Sequence, residues 1–142
     1  MNKSGDPAIN APAYSGKPSA SRIGLVRALN KTHGSTVATS VSVADTPGNR
    51  RRGLLDRPEL EEHEGLWIVP CESVHTVGMR YPIDLVYLDR KRRVVKIVES
   101  LAPYRMSLCL RAHSVIELAA GAARRSGTKI GHQLALAARI EN

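Results

Sequence analysis

One stretch of the sequence, residues 71–89, brings a thiol, an imidazole, a guanidinium and a carboxylate close together. It reads CESVHTVGMRYPIDLVYLD and contains Cys71, His75, Arg80 and Asp84. A thiol beside an imidazole can act as a nucleophile and its base, and a polar cluster of this kind can also hold a ligand. The chain contains no nucleotide-binding glycine loop, no complete metal signature and no recognisable catalytic triad. The sequence therefore locates a candidate site but does not specify a reaction.

Asp84 is the most informative of these residues because of the extended run in which it lies. In a strand over residues 83–88, the side chains of residues 83, 85 and 87 line one face and those of residues 84, 86 and 88 line the other. Both faces are otherwise apolar, so we expect the carboxylate to lie partly out of water and to need a partner. The candidate partners are cationic: Arg80 and His75 nearby in the sequence, or Arg52 and Arg105 from elsewhere in the fold.

Two interpretations of this cluster follow. In the first, the protein is a binding or interaction module with a polar pocket for a small polar or anionic ligand or a partner's peptide, formed by His75, Arg80, Asp84 and Arg105. In the second, Asp84 is a structural strut that ties the loop of residues 71–82 to the sheet. The two differ in whether the charged side chains converge on an open cavity or on one another.

Other chemistry remains open. A hydrolase would use Cys71 as nucleophile and His75 as base, although a buried thiol beside an ordinary polar histidine is the commoner arrangement. Metal binding by Cys71, His75 and Asp84 lacks a supporting Cys-x-x-Cys or His-x-x-x-His element, and we predict no metal and no cofactor. Glu117 precedes a glycine-containing helix entrance, where backbone amides can hold an anion, or it simply pairs with an arginine.

Charge and composition restrict the partners. The net charge of +8 attracts polyanions, but the positive residues form short clusters without interleaved aromatic residues, which makes nonspecific docking on nucleic acid the weaker alternative. The clusters are residues 50–52, 90–93 and 124–125, and the first two are expected on solvated faces, with docking of an acidic partner as the functional alternative. No apolar segment is long enough to cross a bilayer, and two cysteines are too few for a disulfide scaffold. We therefore expect a cytoplasmic protein that does not bind membranes.

The elements that position the cluster are mostly strands. Residues 1–21 are polar and rich in Pro, Gly and Ser, which predicts a flexible leader before a single domain over residues 22–142. Apolar residues alternate in strand-like runs, and turn residues between them favour hairpins. The predicted strands are 23–29, 35–44, 66–69, 83–88, 94–98, 107–110, 115–118 and 132–140. Two helices are predicted: the first begins at Pro47 and ends before Pro58, and the second spans residues 119–125. This order predicts an α+β fold with a mostly antiparallel β-sheet, or an open barrel-like sheet, and two short helices.

Three segments resemble a known family. GLLDR at residues 53–57, the run that begins GLWIVPCESVHTVGMRYPID at Gly65, and VIELAAG at residues 115–121 are similar to the bacterial and archaeal domain of unknown function 192 family (DUF 192), in its variant with an HTxGMRxPID segment. The resemblance covers roughly residues 36–137. Where the family generally has Glu-Leu-Pro-Ala-Gly, this chain has Ala119 in place of the proline. The resemblance implies a compact β-rich domain and no established activity.

Overall fold

The computed structural model describes residues 25–55 and 57–138, and its largest element is a sheet of seven strands. The predicted leader lies outside the described residues, as does the predicted end of the last strand at Ile140. The elements, in chain order, are β1 (Leu25–Asn30), β2 (Ser35–Ala44), α1 (Pro47–Arg52), β3 (Glu64–Ile68), β4 (Ser73–His75), β5 (Ile83–Leu88), β6 (Val94–Leu101), β7 (Met106–Leu108), β8 (Ser114–Ala119), α2 (Ala122–Arg125) and β9 (Leu134–Ala138).

The large sheet has the strand order β6-β5-β8-β3-β2-β1-β9, while β4 and β7 form a separate two-stranded sheet. Among the described strands, β2 and β3 are parallel and the remaining pairs are antiparallel. The hairpins predicted around residues 30–34 and 89–93 are both present. The predicted fold class, a strand-dominated α+β fold with two short helices, is therefore confirmed.

The two edges of the large sheet approach each other where β6 and β9 begin. The amide of Val94 donates to the carbonyl of His132 at 2.9 Å, and the amide of Leu134 donates to the carbonyl of Arg92 at 3.0 Å. Arg93 and Gln133 form an isolated antiparallel bridge at the same place. These bonds curl the sheet into a half-barrel, because they join strands from opposite ends of the strand order.

Helix α1 begins as its sequence predicts and ends early. The side-chain oxygen of Thr46 accepts a hydrogen bond from the amide of Asn49 at 3.2 Å, and Pro47 occupies the first turn. The helix ends at Arg52, ahead of the predicted end, because Gly53 adopts a φ of 51° that an L side chain disfavours. Leu54 then turns into the protein and is buried.

The large sheet buries a separate hydrophobic cluster on each face. One cluster contains Val86 and Leu88 of β5, Ile116 and Leu118 of β8, and the alanines of α2. The other contains Ile83, Leu85 and Tyr87 of β5 and is covered by residues that follow α1 and by the small sheet, including Leu54, Val74 and Met79. Alternate residues of β5 thus lie in different clusters, and all six are buried. This confirms the prediction that the two sets of side chains line opposite apolar faces.

The turn at residues 89–93 is less exposed than expected. Its Asp89 carboxylate accepts the backbone amides of Lys91 and Arg93, each at 2.9 Å. The Arg92 guanidinium lies over the ring of Trp67, 4.9 Å from the ring centroid, and burial lowers the pKa of Arg92. The expectation that this whole cluster is solvated is therefore wrong for Arg92, which packs against the core as a cation–π partner.

Candidate functional site

Asp84 is fully buried and its carboxylate bonds to the backbone. Its Oδ1 accepts the amide of Ser100 at 2.8 Å, and its Oδ2 accepts the amides of Gly121 at 3.1 Å and Ala123 at 3.0 Å. Within the described residues, no ion pair joins it to His75, Arg80 or Arg105. The expectation of a cationic partner is wrong, because three amide donors supply the stabilisation that a buried carboxylate needs.

These three bonds tie β5 to two irregular segments. The β5–β6 register shifts by one residue between Ile83 and Leu85, so β6 has an extra residue opposite Asp84 and an amide without a ladder partner. Gly121, at the start of α2, has no side chain to cap that helix. Asp84 accepts the free amides of both segments, and it connects β5 to the bulge of β6 and to α2 instead of to the loop of residues 71–82.

The other three predicted site residues are exposed and separate. His75 is on β4, opposite Met106 of β7. Arg80 lies in the loop before β5, and Arg105 precedes β7, where its guanidinium donates to the carbonyl of Tyr104 at 3.2 Å. Arg80 and His75 line two neighbouring cavities, one residue in each. Neither cavity is lined by Asp84 or Arg105.

The larger of these cavities, here called the Arg80 groove, has a volume of about 570 Å³. It lies between the loop after α1 and the loop before β5. Its lining combines apolar side chains with charged ones and one phenol: Leu54, Leu55, Arg57, Pro58, Glu59, Gly78, Met79, Arg80 and Tyr81. The Tyr81 hydroxyl donates to the carbonyl of Pro58 at 3.3 Å, which ties the two loops together.

The smaller cavity, here called the Glu117 cavity, has a volume of about 80 Å³. It shares Leu54, Leu55 and Met79 with the Arg80 groove, so the two spaces lie on either side of these side chains. Its remaining lining is Arg50, Arg51, Arg52, Gly53, Ile68, Cys71, Ser73, Val74, His75 and Glu117. The cavity therefore combines an apolar wall, an arginine-rich rim and three polar side chains: the thiol of Cys71, the imidazole of His75 and the carboxyl of Glu117.

Glu117 is the deepest polar residue of this cavity. It lies on β8 in register with Leu66 of β3 and Leu85 of β5, and its side chain is 4% exposed. Its Oε1 atom is buried and has no hydrogen-bond partner within the described residues. Burial raises the pKa of Glu117 to about 7, while the charge of Arg57 acts in the opposite direction.

Sequence reasoning placed Glu117 beside an arginine or near a helix entrance, and it missed the cavity. Among the described residues Glu117 has no ion pair, and its side chain points away from the α2 amides that bond to Asp84. The signal that singled out Asp84 applied equally here, because VIELA also places one carboxylate in a strand that is apolar on both faces.

Cys71 faces the same cavity as an ordinary thiol. Its Sγ donates to the carbonyl of Ser73 at 3.0 Å, and the described residues include no hydrogen bond between it and His75. Burial raises the pKa of Cys71, and the nearby charge of Glu117 acts in the same direction. This environment favours the neutral thiol at neutral pH, which works against the nucleophile that the hydrolase hypothesis requires.

The arginine clusters differ in how their charges are used. Arg124 pairs with Glu99 at 3.0 Å and Arg125 with Glu62 at 3.1 Å. The guanidinium groups of residues 50–52, here called the arginine rim, make no ion pair or hydrogen bond with the part of the chain that the structure describes. The rim is thus a set of charges held beside a cavity and not paired with any carboxylate of the described residues.

Residues 25–55 and 57–138 contain neither a cluster of metal ligands nor a membrane-spanning helix. No group of three or more His, Cys, Asp or Glu side chains in these segments could hold a metal ion. None of their helices is long and apolar enough to cross a membrane. Cys71 and Cys109 are both free.

The fold and the cavities define a small, strand-dominated α+β domain whose ionisable groups meet on one face of a curled sheet. Residues 28–136 match the family DUF192, described as "Uncharacterized ACR". The chain belongs to this family, as the HTxGMRxPID segment and its neighbours indicated.

Three relatives show how far the similarity extends. A UPF0127 protein of Thermococcus sibiricus is 35% identical over 74 residues, which cover 49% of this chain and 47% of that protein, so the match spans about half of each. A crystal structure of a protein of unknown function from Novosphingobium aromaticivorans has a TM-score of 0.71 at 23% identity, covering 94% of this chain and 99% of that one. A crystal structure of a "putative transcription regulator" from Sinorhizobium meliloti has a TM-score of 0.71 at 22% identity, covering 81% of this chain and 94% of that one. At these identities the two solved structures show the shared fold alone.

Proposed function

We propose that the protein is a binding module for a small anionic ligand, which enters the Arg80 groove and the Glu117 cavity and is held by the arginine rim, Arg80 and His75. The observation that carries this proposal is the arginine rim itself. Three arginines line a cavity without ion pairs to the described residues, although carboxylates elsewhere in the chain pair with Arg124 and Arg125. Guanidinium groups bind carboxylates and phosphates through paired donors, so a small anion matches this rim.

The proposed site retains two of the four residues that the sequence suggested. His75 lines the Glu117 cavity and Arg80 lines the Arg80 groove. Asp84 and Arg105 are left out, because the carboxylate of Asp84 is occupied by three amides and Arg105 lines neither cavity. The proposal includes the cytoplasm as its compartment, which the free thiols of Cys71 and Cys109 support.

The test is a titration of the isotope-labelled full chain with propionate and with inorganic phosphate, followed by the backbone amide resonances. Binding should shift the amides of residues 50–55 and 73–80 in a saturable way, while the same concentration of chloride should not. Arg52→Ala and Arg80→Ala should each weaken binding several-fold by removing one charge-assisted contact. Arg124→Ala is the matched control and should bind as the wild type does, because that guanidinium pairs with Glu99 and lines neither cavity. Shifts spread evenly over the surface would contradict the proposal.

A partner's peptide is a second candidate for the same site. Met106 and Leu108 of β7 are 75% and 53% exposed, and they lie opposite His75 and Ser73 at the edge of the Glu117 cavity. An acidic group in the rim with apolar side chains on β7 would use both surfaces. Replacing Met106 and Leu108 with Ser should weaken the binding of an acetylated acidic peptide and leave the binding of propionate unchanged. If the binding of propionate weakens equally, the double variant has disturbed the cavity and the peptide hypothesis loses its support.

A further inference from the structure

The Glu117 carboxylate has a hydrogen-bonding capacity that the described residues do not use. The contrast with Asp84 is direct, because both residues lie on central strands of the same sheet and both are almost completely buried. Asp84 accepts three backbone amides, whereas Oε1 of Glu117 accepts nothing from the described residues. Few buried polar atoms in native proteins lack a partner, and one that faces a cavity is placed to receive a donor from outside the chain.

Within the described residues, no donor that lines the Glu117 cavity bonds to this oxygen. The side chains around the carboxylate on the sheet side are Leu66, Ile68 and Leu85, and the thiol of Cys71 already donates to Ser73. The volume of about 80 Å³ holds two or three atoms heavier than hydrogen, since a water molecule occupies about 30 Å³ in the liquid. A ligand must therefore place a small polar group beside Glu117, with the rest of the molecule at the rim or in the Arg80 groove.

The positive charge of the arginine rim favours an uncharged hydrogen-bond donor over a cationic one. An ammonium group would have to pass three guanidinium charges to reach Glu117, whereas a hydroxyl group carries no charge and can donate to the carboxylate. The rim in turn favours a negative group on the same molecule. Among organic carboxylates, one with a hydroxyl on the neighbouring carbon is the smallest that meets both demands.

We infer that Glu117 is a ligand-binding residue that accepts a hydrogen bond from a hydroxyl group, and that the ligand is a small hydroxylated anion of the 2-hydroxy carboxylate class. The inference rests on the proposed function, because the arginine rim must hold the anionic group. It goes beyond that function by selecting among anions. The rim supplies affinity for any small carboxylate, and Glu117 supplies a preference for those with a hydroxyl group.

Lactate and propionate test this inference, since they carry the same carboxylate and differ by one hydroxyl. The full chain should be titrated with each at pH 8 and followed by its amide resonances. Wild type should bind lactate about tenfold more tightly than propionate, the change expected when one hydrogen bond to a charged acceptor is formed. Glu117→Leu should bind the two equally, because an apolar side chain of similar size replaces the acceptor. Arg52→Ala should weaken both and keep the preference.

The outcomes separate the inference from the function on which it rests. Equal binding of lactate and propionate by wild type overturns the role of Glu117 and leaves the anion site intact. A preference that survives in Glu117→Leu also overturns it, because another group must then accept the hydroxyl. Failure of both anions to bind overturns the proposed function and the inference together. If Glu117→Leu does not fold, Glu117→Gln replaces it: this variant keeps one acceptor oxygen without the charge and should show a reduced preference, and an undiminished preference would overturn the inference.

Discussion

Replacing Glu117 with Gln should change how the stability of the protein depends on pH. The carboxyl of Glu117 has a pKa of about 7 in the folded protein, against 4.5 for its ordinary value. Between these two pH values the folded state holds a proton that the unfolded state has lost. The free energy of unfolding contributed by this group is therefore highest below pH 4.5 and falls as the pH rises to about 7.

The size of this effect follows from the same difference. Each unit of pKa corresponds to about 1.4 kcal/mol, so the shift from 4.5 to about 7 lowers the free energy of unfolding by about 3 kcal/mol once the pH is above 7. Glutamine has nearly the same shape and cannot lose a proton in this range. The difference in free energy of unfolding between Glu117→Gln and wild type should thus increase by about 3 kcal/mol between pH 4.5 and pH 8.

Urea denaturation at several pH values, followed by the fluorescence of the single tryptophan, Trp67, measures this difference. Any constant effect of the new amide group cancels, because only the change with pH is compared. Glu72→Gln is the matched control: Glu72 is exposed, and the same chemical change there should alter the free energy of unfolding by less than about 0.5 kcal/mol at every pH. Parallel curves for Glu117→Gln and wild type would refute a buried carboxyl without a partner.

Three further substitutions test the fold around the site by the same denaturation assay. Asp84→Ala should lower the free energy of unfolding by about 3 kcal/mol, because it leaves one buried and two partly buried amides without an acceptor, and a loss below about 1 kcal/mol would mean that water reaches them. Arg92→Ala should cost about 1 kcal/mol by removing the contact with the Trp67 ring, whereas Arg93→Ala, at an exposed ion pair, should cost less than about 0.5 kcal/mol; equal losses would contradict the cation–π assignment. Gly65→Ala should cost about 1–3 kcal/mol, since its new Cβ would lie 3.1 Å from a backbone oxygen, while Gly48→Ala, with open space around it, should be neutral or slightly stabilising; a neutral Gly65→Ala would show that β3 and β8 can move apart.

Much of the fold is visible in the sequence because its strongest signals are local. Alternating apolar residues and intervening turn residues predict both hairpins, and Thr46 with Pro47 predicts where α1 begins. The three-residue strand β4 was missed, because so short a run carries no periodicity. The parallel pairing of β2 with β3 was missed as well, since it depends on where an intervening helix and loop return the chain.

In the candidate site, the burial of a residue can be predicted from its neighbours in the sequence, whereas its partners and the cavity cannot. The burial of Asp84 follows from the apolar residues around it, and it is confirmed. Its partners do not follow, because they are backbone amides exposed by a bulge in β6 and by the first turn of α2, which the side-chain sequence does not reveal. The cavity at Glu117 arises only when the residues after α1 and the small sheet cover β8, and that packing joins segments far apart in the chain.

The position of β1 has a consequence for the order in which the protein can be made. Strand β1 pairs on one side with β2, which follows it at once, and on the other side with β9, where Asn30 lies opposite Leu134. During synthesis β9 is the last of these strands to leave the ribosome, so one edge of β1 stays open while residues 31–133 are being translated. Strand edges of this kind attract other chains. The nascent protein therefore depends on β9 for protection, and a product stalled before β9 would be the form most prone to aggregate.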